Sequence, residues 1–331
     1  MKPVLHFFSF FHRLGTKILR FLYDQNIRKR KSAPLPVISV GNITFGGSEK
    51  SPLAEKLLKA LLKKGFNPAL ISRGYKGKWE NCGGELSPES IDSTDWRTPG
   101  DEPYMIARNV PNAGIYLGKN RIESCLKAYE KGYDIAVMDD GFQYYSLQKD
   151  LDIVLHDLSE KTFLRESLST LNKAHIILLK KTHSKKDKER LGSLLFRIPV
   201  FEYSVFCKGL IKLGTDQLLS PETFQKKKVL AFSGIARPQR FIKTLEEKGI
   251  KPDAFIKFPD HYDYPSNAVH KIIHEHKSIN SDAVVTTEKD AVKLEDKELI
   301  KDLPLYYSKI DLSIEQGFFD RVFSKLHKQE K

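Results

Sequence analysis

Short apolar runs rich in β-branched residues recur along the first two thirds of the chain, at 37–40, 69–72, 115–117, 135–138, 153–155 and 176–179. Stretches with apolar residues at three- and four-residue steps stand between them, most clearly at 53–64 and 122–131. A continuous apolar run reads as a strand buried on both faces, and strand–helix alternation implies an α/β fold with a parallel sheet covered by helices on both sides. A second series follows, with strands expected at 229–232, 283–286 and 305–307 and a helix over 238–248 opened by Pro238. The expected division is an N-terminal amphipathic helix over 1–32, a larger α/β domain over 33–204 and a smaller α/β domain over 205–331. The basic, polar stretch 181–190 reads as a solvated helix or connector. The stretch 75–104, rich in Gly, Pro, Ser and acids, reads as a long loop, and long loops in compact domains are usually functional.

The N-terminal pattern differs. Val4, Phe7, Phe8, Phe11, Leu14, Ile18, Phe21 and Leu22 fall on one helical face, with Arg13, Lys17, Arg20 and Asp24 on another. Arg13 interrupts the apolar stretch, so it cannot supply the roughly 20 residues of a membrane span. His12-Arg13 and the lack of a small-residue cleavage site also argue against a signal peptide. Charge sharpens the picture. The chain of 331 residues carries a net +13, and residues 1–32 hold eight basic side chains against one acid, about half of that excess. Such a helix suits the interface of an anionic membrane, with Arg28-Lys-Arg-Lys31 adding attraction. The competing readings are a helix packed on its own domain, and nucleic-acid binding, which no recognised motif supports. Hydrophobic residues make up 40% of the chain, enough for a substantial core. The three cysteines, Cys82, Cys125 and Cys207, are scattered, which argues against a disulfide framework or a zinc site.

The segment Pro36–Pro52 carries the most specific local chemistry. A strand leads into Thr44, Phe45, Gly46, Gly47, Ser48, Glu49, Lys50 and Ser51, and a Leu-rich helical pattern follows. Strand, glycine-containing loop and helix is the layout of a nucleoside-triphosphate site, because backbone amides and the helix N-terminus together cradle phosphate. The alternative is an ordinary glycine-rich turn. The usual spacing has Gly where this chain has Thr44 and Glu49. At 134–143 an apolar strand ends in Asp139-Asp140-Gly141. Carboxylates at the tip of a parallel strand beside a phosphate loop suit Mg²⁺, although an Asp-Gly turn also ends many strands.

Other positions keep two readings. Arg73 in Arg73-Gly-Tyr75 is a phosphate-neutralising cation or part of a basic turn. Asp101 and Glu102 are helix-start carboxylates or catalytic ones. Arg165-Glu166 is a surface ion pair or a further metal carboxylate. His261, next to Asp260 in an aromatic loop, is structural or catalytic. Thr286-Thr-Glu-Lys-Asp290 ends a strand of the second series in a cluster of polar groups.

These motifs, taken in order, resemble the tetraacyldisaccharide 4'-kinase (lipid A 4'-kinase) family: Leu22-Tyr-Asp24, Val40-Gly-Asn-Ile43, Gly46-Gly47 with Lys50-Ser51-Pro52, Arg73-Gly-Tyr75, Gly100-Asp-Glu-Pro103, Asp139-Asp-Gly-Phe-Gln143, Leu164-Arg-Glu166, Gly234-Ile235 with Pro238 and Arg240-Phe241, Asp260-His261, and Thr286-Thr-Glu-Lys-Asp290. The resemblance implies a P-loop NTPase-like domain, a second α/β domain and an active site in a cleft between them. It implies ATP- and Mg²⁺-dependent phosphorylation of the 4'-hydroxyl of a tetraacyldisaccharide 1-phosphate, by a peripheral, monomeric protein on the cytoplasmic face of a bacterial inner membrane. By the same resemblance the loop residues 44–51 bind ATP, with Lys50 on the β- and γ-phosphates. Ser51, Asp139, Asp140 and Glu166 hold the metal. Asp101 and His261 form the catalytic pair, and Arg73, Glu102 and Arg121 meet the lipid substrate.

Glu49 departs from the family pattern. A carboxylate beside a polyphosphate adds like charge, and a side chain there resists the backbone angles glycine allows. Two expectations follow: an active lipid kinase with an unusual loop, or a catalytically weak membrane-surface homologue that binds lipid or nucleotide. Retention of Lys50, Ser51, Asp101, Asp139, Asp140 and His261 favours the first.

Overall fold

The computed structural model describes residues 15–44, 49–158, 164–181, 197–295 and 297–326. The chain forms two compact units, one from residues 1–94, 106–204 and 314–331, the other from residues 95–105 and 205–313.

The first unit is built on strands β1 (Val37–Asn42), β2 (Pro68–Ser72), β3 (Gly84–Leu86), β4 (Gly114–Leu117), β5 (Ile135–Asp139), β6 (Leu151–His156), β7 (Ile176–Lys180) and the beginning of β8 (Val200–Lys212). They lie in the order β3-β4-β2-β5-β1-β6-β7-β8. All neighbours are parallel except β3 on β4. Every residue of β1, β2, β4 and β5 is buried, as continuous apolar runs require when both faces are covered. The helix Lys50–Lys63 buries Leu53, Ala54, Leu57, Leu58 and Leu61, a stripe at helical spacing. Each leucine removed from water contributes about 1.5–3 kcal/mol.

The second unit holds the rest of β8, β9 (Leu218–Leu219), β10 (Val229–Ser233), β11 (Ala254–Lys257), β12 (Ala283–Thr287) and β13 (Leu305–Ile314). Their order is β11-β10-β12-β13-β8, with β9 antiparallel to β8. Strands β11, β10, β12 and β13 pair in parallel. Leu230, Phe232, Phe258, Val269, Ile272, Val284 and Leu305 form its core. Helices Pro238–Glu246 and Ser266–Ile279 accompany these strands; the second, which buries Ala268, Val269 and Ile272 at helical spacing, is not among the expected elements.

The division differs from the expected 33–204 and 205–331 in two ways. The C-terminal helix Phe318–Leu326 belongs to the first unit, where the Phe318 ring meets Phe201 edge-on at 5.7 Å. Residues 95–105 belong to the second, where Lys293 lies over the Trp96 ring. The chain passes from the first unit to the second between Ser204 and Val205, inside strand β8, and most of the polar stretch before it (182–190) lies outside the described residues. The stretch 75–104 is not structureless either, since it contains the helical turn Trp79–Cys82 and strand β3.

A helix over residues 15–24 is part of the first unit. Arg20 corrects the sequence expectation. It does not face outward with Lys17 but lies 4.8 Å from the Phe142 ring centre and 4.7 Å from that of Tyr145, while its guanidinium pairs with Glu166 at 3.0 Å. A planar cation can stack on rings and meet a carboxylate at once, which offsets its withdrawal from solvent. Ile18 and Phe21 remain more than half exposed. Val4, Phe7, Phe8, Phe11, Arg13 and Leu14 lie outside the described residues. Among the described residues no helix is long and apolar enough to cross a membrane.

One close approach fixes the β1 end of the sheet. A Cβ at Gly41 would lie 2.4 Å from Phe142 Cβ and 2.9 Å from its backbone nitrogen. Gly41→Ala is therefore expected to lower stability by about 1–3 kcal/mol, the usual cost of overpacking. A urea unfolding midpoint equal to that of the parent would contradict this contact.

Candidate active site

In the first unit, register brings the chemistry together. Val40 pairs with Asp139 on β5 and with Ile153 on β6, so the end of β1 and the carboxylate pair stand at the same end of the sheet. Glu49 is the N-cap of the helix Lys50–Lys63, in the left-handed region at φ 56°, ψ 23°. Lys50 opens that helix, and its ammonium lies 2.8 Å from Asp140. Arg165 donates to both oxygens of Asp140, at 3.1 and 3.0 Å. Burial alone would push the Asp140 carboxyl up, but the Lys50 and Arg165 charges outweigh it and hold the group well below the usual carboxylate range. Asp139 is buried and accepts the Asp140 backbone N–H at 2.9 Å.

Gln143 links the loops by donating to the Asn42 carbonyl at 2.7 Å and to Glu166 at 2.9 Å. Asn42 in turn donates to the Thr44 hydroxyl at 3.0 Å. Phe45, Gly46, Gly47 and Ser48 of the expected phosphate loop lie outside the described residues. Arg73 is exposed and bound to Glu80 at 2.8 Å. Arg121 is buried, donates to the Asp140 carbonyl at 3.1 Å and stacks on Tyr144. Held in this way, Arg121 supports the carboxylate turn.

The second unit carries the other expected pair. Asp101 begins the helix Asp101–Asn109 and is 4% exposed. Its Oδ2 lies 2.9 Å from His261 Nδ1, 3.1 Å from the Lys293 ammonium and 3.9 Å from that of Lys289. Burial would raise the Asp101 pKa, but the His261 hydrogen bond and the two lysines hold it far below the usual carboxylate value. The carboxyl is therefore ionised, so Nδ1 of His261 donates to it, and Lys289 donates to Nε2 at 3.3 Å. Lys289 also pairs with Glu102 at 3.0 Å, and these acids raise its pKa despite burial.

The frame around His261 is tightly tied. His261 and Tyr264 both have positive φ, 58° and 53°. The His261 backbone N–H donates to the Gly234 carbonyl at 3.0 Å, and Gly234 N–H donates to buried Asp290. Thr287 donates to the same Asp290 oxygen at 2.6 Å. A Cβ at Gly234 would come within 2.9 Å of the Tyr264 hydroxyl. Phe258, Tyr262 and Tyr264 pack on one another and anchor the loop.

Sequence pattern did not single out Lys293, Lys180 or Gln143's bridging role. Lys289 was seen only as part of a polar motif. The available signal was a lysine four residues beyond Lys289, on the turn after β12, and a basic residue closing the apolar run of β7.

The oxygen donors suit a divalent cation that comes with its nucleotide. Asp139 and the Ser51 hydroxyl are hard ligands, whereas Asp140 and Glu166 are ion-paired with Lys50, Arg165 and Arg20. Among the described residues no three His, Cys, Asp or Glu side chains gather as a metal cluster. Mg²⁺ in phosphate sites commonly uses only one or two carboxylates together with the phosphates, so this set fits it.

A parallel sheet with a strand–loop–helix phosphate layout, carboxylates at the adjacent strand tip and a separate carboxylate–imidazole pair defines the phosphoryl-transfer class of α/β proteins. The family model of tetraacyldisaccharide-1-P 4'-kinases, LpxK, matches residues 1–327, and the chain belongs to that family. It is 34% identical over 324 residues to the tetraacyldisaccharide 4'-kinase of Desulfotalea psychrophila, covering 92% of this chain and 91% of the relative. It is 31% identical to that of Syntrophus aciditrophicus, covering 98% and 93%. It also resembles the crystal structure of LpxK from Aquifex aeolicus in complex with ATP, with a TM-score of 0.76, 27% identity and 98% of each chain covered.

The Asp101 cluster predicts a pH dependence. Because its folded pKa is depressed, the ionised carboxylate stabilises the fold above the unfolded value near 4, and that contribution is lost as pH falls below it. Asp101→Asn is expected to cost about 3 kcal/mol or more at neutral pH, since it takes from buried Lys293 the nearer of its two carboxylate partners and leaves only Asp290 at 3.8 Å. Urea midpoints measured between about pH 5 and pH 2.5 should fall less steeply for Asp101→Asn than for the parent. Parallel curves would contradict the cluster.

Proposed function

We propose that the protein transfers the γ-phosphoryl group of ATP to the 4'-hydroxyl of a tetraacyldisaccharide 1-phosphate, a step of lipid A assembly. Family membership supports the reaction, and the observation that carries the chemistry is the buried Asp101 held ionised by His261, Lys289 and Lys293. A structural carboxylate at a helix start needs no such set of partners.

A sugar hydroxyl is a poor nucleophile, and a positioned base contributes about 10²–10⁴-fold. Asp101 accepts the hydroxyl proton, and His261, donating its Nδ1–H to the carboxylate, holds it in place. Lys50 and Ser51 begin the helix Lys50–Lys63, where free backbone amides and the helix dipole favour phosphate oxygens, and the Lys50 ammonium adds charge for the β- and γ-phosphates. Mg²⁺, when bound, neutralises phosphate charge. Ser51, Asp139 and Asp140 would hold it, with Glu166 as the next carboxylate. Arg73 and Glu102 are the side chains left to orient the lipid headgroup, while Arg121 acts through the Asp140 backbone.

A multiply acylated substrate stays in a bilayer, so the protein works at an anionic membrane surface, peripherally, as a monomer and without a nucleic-acid partner. Exposed Ile18 and Phe21 support this reading, as does the exposed tract Arg28–Lys31, in which Arg30 is ion-paired with Asp24 and the other charges contribute roughly 1 kcal/mol each near anionic lipid. Inner-membrane location on the cytoplasmic side follows from the family's substrate. The weak-homologue alternative has no observation in its favour, because all six residues that argue for activity are present.

Transfer of labelled phosphate from ATP to a tetraacyldisaccharide 1-phosphate tests the proposal, and a parent protein without transfer would remove it. Asp101→Ala, His261→Ala and Lys50→Ala are each expected to lower turnover by about 10²–10⁴-fold. Near-parental rates in the first two would eliminate the catalytic pair. Ile18→Ser with Phe21→Ser is expected to reduce sedimentation with anionic vesicles several-fold; unchanged sedimentation would show that this helix is not the membrane contact.

A further inference from the structure

Glu49 is the residue that departs from a phosphate loop, and the structure shows where its charge goes. Its side chain is 11% exposed, and Oε1 lies 2.9 Å from the Lys180 ammonium. The Tyr203 hydroxyl donates to Oε2 at 3.4 Å. Lys180 closes β7 and Tyr203, itself buried, stands in β8. Lys50, the next residue along the chain, turns to Asp140 just past β5. In the sheet β7 and β8 lie on one side of β1 and β5 lies on the other. The adjacent carboxylate and ammonium are thus drawn to opposite sides of β1, and neither neutralises the other.

We infer that Lys180, assisted by Tyr203, is a positioning residue for nucleotide binding: it neutralises Glu49 and holds its carboxylate toward β7 and β8, leaving the Lys50 charge for phosphate. A glycine would reach the same result by having no side chain. Two physical needs converge on this arrangement. A free carboxylate next to a triphosphate repels it, and a carboxylate released from Lys180 has Lys50 as its nearest alternative cation in sequence. The left-handed backbone at Glu49, which glycine adopts without strain, persists in a glutamate only where surrounding contacts fix it. The Lys180 and Tyr203 contacts supply that restraint from outside the loop. Lys180 also lies 3.9 Å from Asp157, so its position does not depend on Glu49 alone.

This inference rests on the ATP reading above, and the experiment separates the two. Dissociation constants for a fluorescent ATP analogue are measured on the full chain for the parent, Glu49→Gly, Lys180→Met and the double variant, with Lys50→Ala as reference. Lys180→Met is expected to weaken binding about tenfold in the Glu49 protein and by less than about threefold in the Glu49→Gly protein, because the charge it controls is then gone. Tyr203→Phe, which keeps the ring, is expected to weaken binding about two- to threefold. Unfolding midpoints of the four nucleotide-free proteins should show the same non-additivity, a readout independent of turnover. Equal losses from Lys180→Met in both backgrounds would mean that Lys180 meets nucleotide or supports the fold directly, and would overturn the inference. No loss in either would overturn it too. A parent that binds the analogue and loses it in Lys50→Ala, yet shows an additive cycle, removes the inference alone. A parent that does not bind the analogue removes both readings.

Discussion

Parallel pairing of β1 with β5 places Val40 beside Asp139, and most of the first unit's chemistry depends on that register. A slip of one residue would turn the side chains of β1 to opposite faces and carry the phosphate-loop helix away from the carboxylates. Two features hold it. Both strands are buried along their whole length, and Gly41 lets the Phe142 backbone approach to a distance no side chain would permit. Phe142 then becomes the floor on which Arg20 stacks, and Arg20 fixes Glu166. One close backbone contact thus orders a strand end, a carboxylate turn and the helix over residues 15–24.

Charge compensation is the second constraint. The basic excess of the chain is not only a surface property. Arg20, Lys50, Arg165, Lys180, Lys289 and Lys293 each face an acid in a partly or fully buried setting. In such surroundings an unpaired carboxylate shifts toward its neutral form, and nearby positive charge favours the ionised one. Asp140 and Asp101 are both held in this way. Four of the seven described non-glycine residues with positive φ fall in the same places: Glu49, Asp140, His261 and Tyr264. Each such residue costs of order 1–3 kcal/mol and is retained where neighbouring contacts over-determine it.

How much of this is legible in sequence depends on the range of the interaction. The β-branched runs at 37–40, 69–72 and 135–138 declare buried strands, because burial on both faces is written into local composition. Asp101, His261, Asp139 and Lys50 can be named in advance because their residue types occur in tight local motifs. The partners cannot. Lys293 and Asp101 are far apart along the chain, as are Lys180 and Glu49, and no local rule relates them. Arg20 shows the same limit in a misleading form: helical periodicity assigns it a polar face, yet two rings and a carboxylate draw it inward.

The sequence by itself determined the alternation of strands and helices, the strand–loop–helix order at 37–63 and the residues able to do chemistry, since all of these follow from composition and spacing over a few residues. Only the tertiary structure decided which charges meet: that Lys50 reaches Asp140, that Glu49 is taken by Lys180 and Tyr203, and that Asp101 is held by His261 and two lysines. Strand order and burial make those choices, because they set both the distance between side chains remote in sequence and the dielectric through which they act.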